Sequence, residues 1–296
     1  MPTASAACST AGSIPCRPAT APLWAHAGKG RTVVVGAKNF SEQYILARLI
    51  GDRLERAGYT VEYRDGLGSA VVLGAVAGGD IDVYVDYAGT IWTNAMKRTD
   101  VPDRREMVAA IGAWTSKTSG VRLVGALGFE NAYAFAMHAD DAQRRGISSL
   151  DDLARASPGL KLGSDLEFLE RPEWAAVSRA YPLRFAKATP YSPTFMYRAL
   201  ESRAVDVISA FSSDGRIAAD RLTVLSDPRH AIPGYDAILL VAPKRATDAK
   251  FVAALQPLIG RIPVEAMRAA NYQVDRDTDK RTPEAAAKWL AGKVGL

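Results

Sequence analysis

From residue 31 onward, short runs of β-branched and apolar residues alternate with longer segments of helical period. That alternation restricts the chain to an α/β fold built on mainly parallel sheets with helices on both faces. The run 32–37 (TVVVGA) reads as a buried strand, and Asn39 with Glu42 three residues on resembles a helix-capping pair. Apolar Tyr44, Ile45, Ala47, Leu49 and Leu54 carry the helix that follows, which Gly58 ends. Strands are expected at 60–63 and 81–86, with a helix opened by Gly66-Leu67-Gly68-Ser69 between them. A second unit of the same kind starts after 133–137, with strands at 160–163 and 205–210 and a helix at 196–201.

The two units echo one another. At a constant offset of 124, Asp82 aligns with Asp206, Val83 with Val207 and Tyr87 with Phe211. Ligands of open parallel sheets sit beyond the carboxyl ends of the strands. Tyr87 and Phe211 each take that place, so two facing lobes would put one aromatic on each wall of a cleft. A further strand at 237–242 and helices at 251–259, 264–272 and 283–292 complete the chain. A strand returning after an inserted unit implies two crossings, with one lobe from 31–132 plus 236–296 and the other from 133–235. Such a pair can hinge shut on a ligand.

Composition narrows the function. The 37 Lys+Arg against 32 Asp+Glu leave +5, scattered along the chain rather than gathered into a basic arm, so nucleic acid is not an expected partner. Both cysteines, Cys8 and Cys16, fall before residue 31, and His26, His138 and His230 lack metal-ligand spacing. Neither a metal nor another cofactor is expected. No GxSxG, Walker A or paired-carboxylate motif points to an enzyme. An effector domain of a regulator can share a two-lobed fold, but residues 1–30 do not suit a helix-turn-helix. Those residues are rich in Ala, Ser, Thr and Pro, and Ala25-His26-Ala27 has the small-x-small form of a signal-peptidase site. They read as a degenerate export signal or a disordered tail, and no apolar run reaches the length of a membrane span.

Several motifs then stand in order: Gly36-Ala37-Lys38-Asn39-Phe40-Ser41-Glu42-Gln43, Gly66-Leu67-Gly68-Ser69, Asp86-Tyr87-Ala88-Gly89-Thr90, Gly128 to Phe135, Ser212-Ser213-Asp214-Gly215-Arg216 and Pro233-Gly234-Tyr235-Asp236. Over 31–294 the chain resembles the glycine betaine/choline-type substrate-binding proteins of osmoprotectant ABC importers. The resemblance implies a type II periplasmic-binding-protein fold, α/β and two-lobed, with a ligand cleft between the lobes. It also implies a monomer in the periplasm or another extracytoplasmic space, serving an inner-membrane ABC permease and its ATPase.

By the same resemblance, Tyr87, Tyr133, Phe211 and Tyr235 form an aromatic cage. Lys38 and Arg171 bind a carboxylate, and Thr90 adds a hydroxyl contact. Phe211 departs from the usual tyrosine, keeping the π face and losing a hydroxyl. The chemistry is coherent, because a quaternary ammonium has no N–H to donate and is held by ring faces, each worth about 0.5–1 kcal/mol when exposed and about 2 when desolvated. Two cations left without a partner would favour a zwitterion such as glycine betaine over choline; choline, carnitine or a larger betaine such as ergothioneine stand as the alternatives. Taken singly, Tyr87, Tyr133 and Phe211 read more often as core residues, Tyr235 as a turn residue stacking on proline, Lys38 and Arg171 as solvated charges, and Thr90 as a helix cap. The motifs in order favour a ligand site.

Overall fold

A computed structural model describes residues 31–296; the expectations placed on residues 1–30, Cys8, Cys16 and His26 among them, lie outside the described residues. The strands are β1 (Thr32–Lys38), β2 (Thr60–Leu67), β3 (Val83–Tyr87), β4 (Arg122–Glu130), β5 (Tyr133–His138), β6 (Lys161–Asp165), β7 (Lys187–Tyr191), β8 (Val207–Phe211), β9 (Leu222–Val224) and β10 (Asp236–Val241). They form two five-stranded sheets, ordered β2-β1-β3-β10-β4 and β7-β6-β8-β5-β9.

Each sheet has three parallel strands and then one antiparallel strand, β10 in the first and β5 in the second. These two strands begin where the chain has just crossed between sheets. The expected sheets were mainly parallel; a lone apolar run carries no sign of its direction, so the reversal was not legible. The helix Arg104–Ser119 and strand β4 were also absent from the reading of the sequence.

Alternation at period two packs both faces of the first sheet. Val33, Val35, Val83, Val85, Leu239 and Val241 face the helices Ser41–Arg56, Val264–Asp275 and Pro283–Val294. Ile81, Tyr84, Ile238 and Leu240 face the helices Ser69–Gly78 and Arg104–Ser119 on the other side.

The echo between the units extends to their hydrogen bonds. Asp82 accepts from Val34 N at 2.8 Å and returns its own N–H to Val34 O. Asp206 does the same with Lys161, also at 2.8 Å. Each aspartate therefore ties the third parallel strand of its sheet to the first. Tyr87 and Phe211 are the last residues of those third strands.

The crossings lie side by side. Ser212 Oγ donates to Glu130 O and accepts from Ala132 N, and Asn131 N donates to Tyr235 O. Arg104 grips both strand ends, with two bonds to Asp236 and one to Glu130. No helix among the described residues is long and apolar enough to cross a membrane.

Candidate functional site

The carboxyl ends of β1 and β3 deliver Lys38 and Tyr87 to one cluster. Lys38 is buried, and its ammonium pairs with the equally buried Asp86 carboxylate while lying 5.5 Å from the centre of the Tyr87 ring. Asp86 also accepts from Tyr84 Oη at 2.7 Å and Tyr87 N at 2.8 Å. Tyr87 is 4% exposed, and its hydroxyl donates to Glu42 at 2.6 Å. Glu42 also accepts from Asn131 Nδ2 at 3.1 Å and Asn271 Nδ2 at 2.7 Å, and Ser213 hydrogen-bonds it as well. Asn39 and Glu42 therefore make no capping pair. Phe40 occupies the cap position, and Glu42 turns inward because four polar partners converge on it.

A second cluster gathers Tyr133, Phe211, Arg171 and Tyr235. Tyr133 opens β5 directly opposite Phe211 of β8, and their ring centres are 4.7 Å apart. Phe168 flanks Tyr133 at 4.8 Å, and the Arg171 guanidinium lies 5.2 Å from the same ring. Arg171 precedes the helix Pro172–Ala180 and makes two 3.2 Å bonds to Glu173. Tyr235, from the second crossing, donates its hydroxyl to Glu173.

The Tyr235 ring lies against Gly89, where a Cβ would stand only 2.6 Å from it, so only glycine leaves room for the ring there. Thr90 is half-buried at the end of the short helical turn Ala88–Thr90, and its hydroxyl makes no hydrogen bond among the described residues. No ring contact or hydrogen bond among the described residues joins Lys38 or Tyr87 directly to Tyr133, Arg171 or Tyr235. A cavity of about 390 Å³ links the clusters, since both Glu42 and Phe211 line it. Another, of about 360 Å³, reaches Glu173 from the side of Asn94 and Ala176.

The picture of two cations without partners does not survive. Asp86 neutralises Lys38 and Glu173 neutralises Arg171, so charge alone no longer selects a zwitterion over a cation. Burial pushes the Glu173 carboxyl up, but hydrogen bonds from Arg171 and Tyr235 outweigh it and hold the group below its ordinary value. Glu42 goes the other way. Its burial raises the carboxyl above the ordinary glutamate value despite bonds from Ser213, Tyr87, Asn271 and Asn131.

A raised folded value means that stability is fullest below the unfolded value near 4.5 and is lost as pH climbs through the folded one. Thermal midpoints of wild type and Glu42→Gln should therefore be nearest at low pH. The wild type should then fall behind as pH rises, and midpoints that run parallel would show that Glu42 does not titrate there.

The family model for the substrate binding domain of ABC-type glycine betaine transport systems matches residues 31–292. The chain belongs to this family. It is thus a substrate-binding component of an ABC transport system and not an enzyme.

Among relatives, a glycine-betaine-binding protein of Pseudomonas aeruginosa is 28% identical over 275 residues, 88% of this chain and 86% of its own. A carnitine transport binding protein of Listeria monocytogenes is 28% identical, across 82% of this chain and 81% of its own. An ergothioneine transport permease/ergothioneine binding protein of Helicobacter pylori is 29% identical across 90% of this chain, which spans about half (48%) of that relative. A solved structure described as a glycine betaine/carnitine/choline ABC transporter superposes with a TM-score of 0.81 at 26% identity, covering 88% of this chain and 98% of its own.

Three acidic residues carry no ligand-site role in the sequence reading: Glu42, read only as half of a capping pair, Asp86, and Glu173, which lies outside the family motifs. The one signal for them was a carboxylate standing in or beside an apolar run, as Asp86 does in IDVYVDY. Trp92 is core, donating to Asp100 O at 2.7 Å, and Asp214 pairs with Arg216.

Proposed function

We propose that this protein captures a quaternary-ammonium zwitterion, glycine betaine foremost, between a lobe of residues 31–132 plus 236–296 and one of 133–235. In this reading it works as an exported periplasmic or extracytoplasmic protein and hands the ligand to an inner-membrane ABC permease driven by its ATPase. The observation that carries the proposal is the convergence of Tyr133, Phe211 and Arg171 on one spot, with Tyr235 joined to them through Glu173. Ring faces take the trimethylammonium group, and the guanidinium takes the carboxylate. Tyr87, Lys38 and Thr90 complete the site from the other lobe.

Tyr87, Tyr133 and Tyr235 are each no more than 7% exposed, so a ligand reaches them when the lobes part, and closure then removes water from around the cation. Choline is a second reading, favoured by the carboxylate partners of both Lys38 and Arg171. Names of relatives support the class of ligand, since glycine betaine, carnitine and ergothioneine all carry a quaternary ammonium.

Calorimetry against glycine betaine, choline, carnitine, proline betaine and ergothioneine tests the proposal directly. Tyr87→Ala and Tyr235→Ala should each weaken the bound ligand about 10- to 100-fold, about 1.4–2.8 kcal/mol for one lost face. Affinity unchanged in both variants would remove the cage.

A further inference from the structure

The Arg171 guanidinium has one edge taken up by Glu173. Its Nε and Nη2 atoms bond the two oxygens of Glu173 side-on, each at 3.2 Å. Among the described residues Nη1 makes no such bond to a carboxylate; the exposed Glu167 stands 3.6 Å from it, and the Tyr235 hydroxyl also hydrogen-bonds the guanidinium. A guanidinium carries five N–H donors in a rigid fork, so the edge formed by Nη1 and the outer N–H of Nη2 still has its hydrogens to give. The exposures match this division. The Glu173 side chain is 3% exposed and that of Arg171 is 32% exposed. Glu173 also accepts the Tyr235 hydroxyl from the second crossing, so one buried carboxylate fixes both an arginine and a cage tyrosine.

We propose that Glu173 determines the charge class of the ligand: it is a built-in counter-anion that orients Arg171 while cancelling its charge, so that the site accepts a singly charged cation as well as a zwitterion. The inference rests on the binding function proposed above and deepens it. Cancelling the charge does not cancel the directional donors. The free edge of Arg171 still hydrogen-bonds a ligand carboxylate, while a ligand lacking one meets no bare cation beside the Tyr133 ring. With Glu173 made neutral, Arg171 keeps as its partner only the exposed Glu167, 3.6 Å away and screened by water, and its net positive charge stands 5.2 Å from that ring. A monocation is then repelled, and a zwitterion gains a stronger partner for its carboxylate.

Calorimetry on choline and glycine betaine with the wild type, Glu173→Gln and the double variant Arg171→Gln/Glu173→Gln tests this. Glutamine keeps the size but only one accepting oxygen, so the charge and one arm of the side-on pair are lost together, and the ratio between the two ligands is what isolates the charge. The wild type should bind both ligands, and the ratio of the choline to the betaine dissociation constant should rise at least tenfold in Glu173→Gln, about 1.4 kcal/mol. A role confined to shape would weaken both ligands in parallel, and an unchanged ratio overturns the inference while leaving the binding function standing. A wild type that binds betaine and gives no signal with choline overturns it too. A wild type that binds no quaternary ammonium overturns both. If Glu173→Gln does not fold, the double variant, which leaves no bare charge, decides. Choline affinity kept within about threefold of wild type, with betaine weakened further, supports the inference, and equal losses overturn it.

Discussion

Asp86→Ala is expected to cost the fold about 3–5 kcal/mol, because it leaves the Lys38 ammonium buried without its partner. Both side chains of the pair are almost inaccessible, at 4% and 2%, so water cannot replace the lost carboxylate without opening the core. The same change strips the acceptor from Tyr84 Oη and Tyr87 N, and so loosens the end of β3 that carries Tyr87. Urea unfolding measures the loss. A companion variant, Lys38→Met/Asp86→Leu, should recover most of that stability, since removing both charges of a buried pair is far less costly than removing one. A loss below about 1 kcal/mol for the single variant would mean that the pair is solvated, as surface pairs are.

Gly215→Val is expected to weaken ligand binding roughly 150-fold while leaving each sheet folded. Gly215 follows β8 and faces the helix Val264–Asp275, which packs on the other sheet. A Cβ at Gly215 would sit 2.5 Å from the Tyr272 backbone nitrogen and 2.6 Å from the Arg268 carbonyl oxygen. Neither atom can swing aside as a side-chain tip can. The bonds nearby, Arg268 Nε to Ser212 O at 2.7 Å and Asn271 Nδ2 to Ser213 O at 2.9 Å, depend on the same approach. Overpacking of this kind costs about 3 kcal/mol at its upper end, and a closed state raised by that amount lowers apparent affinity in proportion. Calorimetry with glycine betaine gives the affinity, and small-angle scattering should show a larger radius of gyration. Unchanged values of both would show that closure does not need the contact.

Local pattern carried much of the molecule. β-Branched and apolar runs placed the parallel strands other than β7, and the offset between Asp82 and Asp206 marked equivalent positions down to a shared pair of hydrogen bonds, one to the carboxylate and one from the backbone N–H. The places of Tyr87 and Phe211 at strand ends followed from that pattern. What local pattern does not hold is the direction of an apolar strand such as β10, or the partner of a charged side chain. Lys38 meets Asp86 from another strand, and Tyr235 meets Glu173 from beyond a crossing. Such partners are set by tertiary approach. The Asn39–Glu42 cap failed for the same reason, because Glu42 has better donors in Tyr87, Asn131 and Asn271 than in its own helix end.

The placement of β10 also bears on the order in which the chain can be assembled during synthesis. All five strands of the second sheet lie within one stretch, Tyr133 to Val224, and can pair as soon as that stretch has emerged. The first sheet must wait. Its fourth strand is made after the whole second sheet, and β4, whose sole neighbour among the described residues is β10, has none of them to pair with until then. For that interval β3 and β4 present open edges, the kind of surface that recruits other chains. Residues 236–241 are thus the closing piece of the earlier-made unit, and translation through them is the point at which its exposed edges disappear.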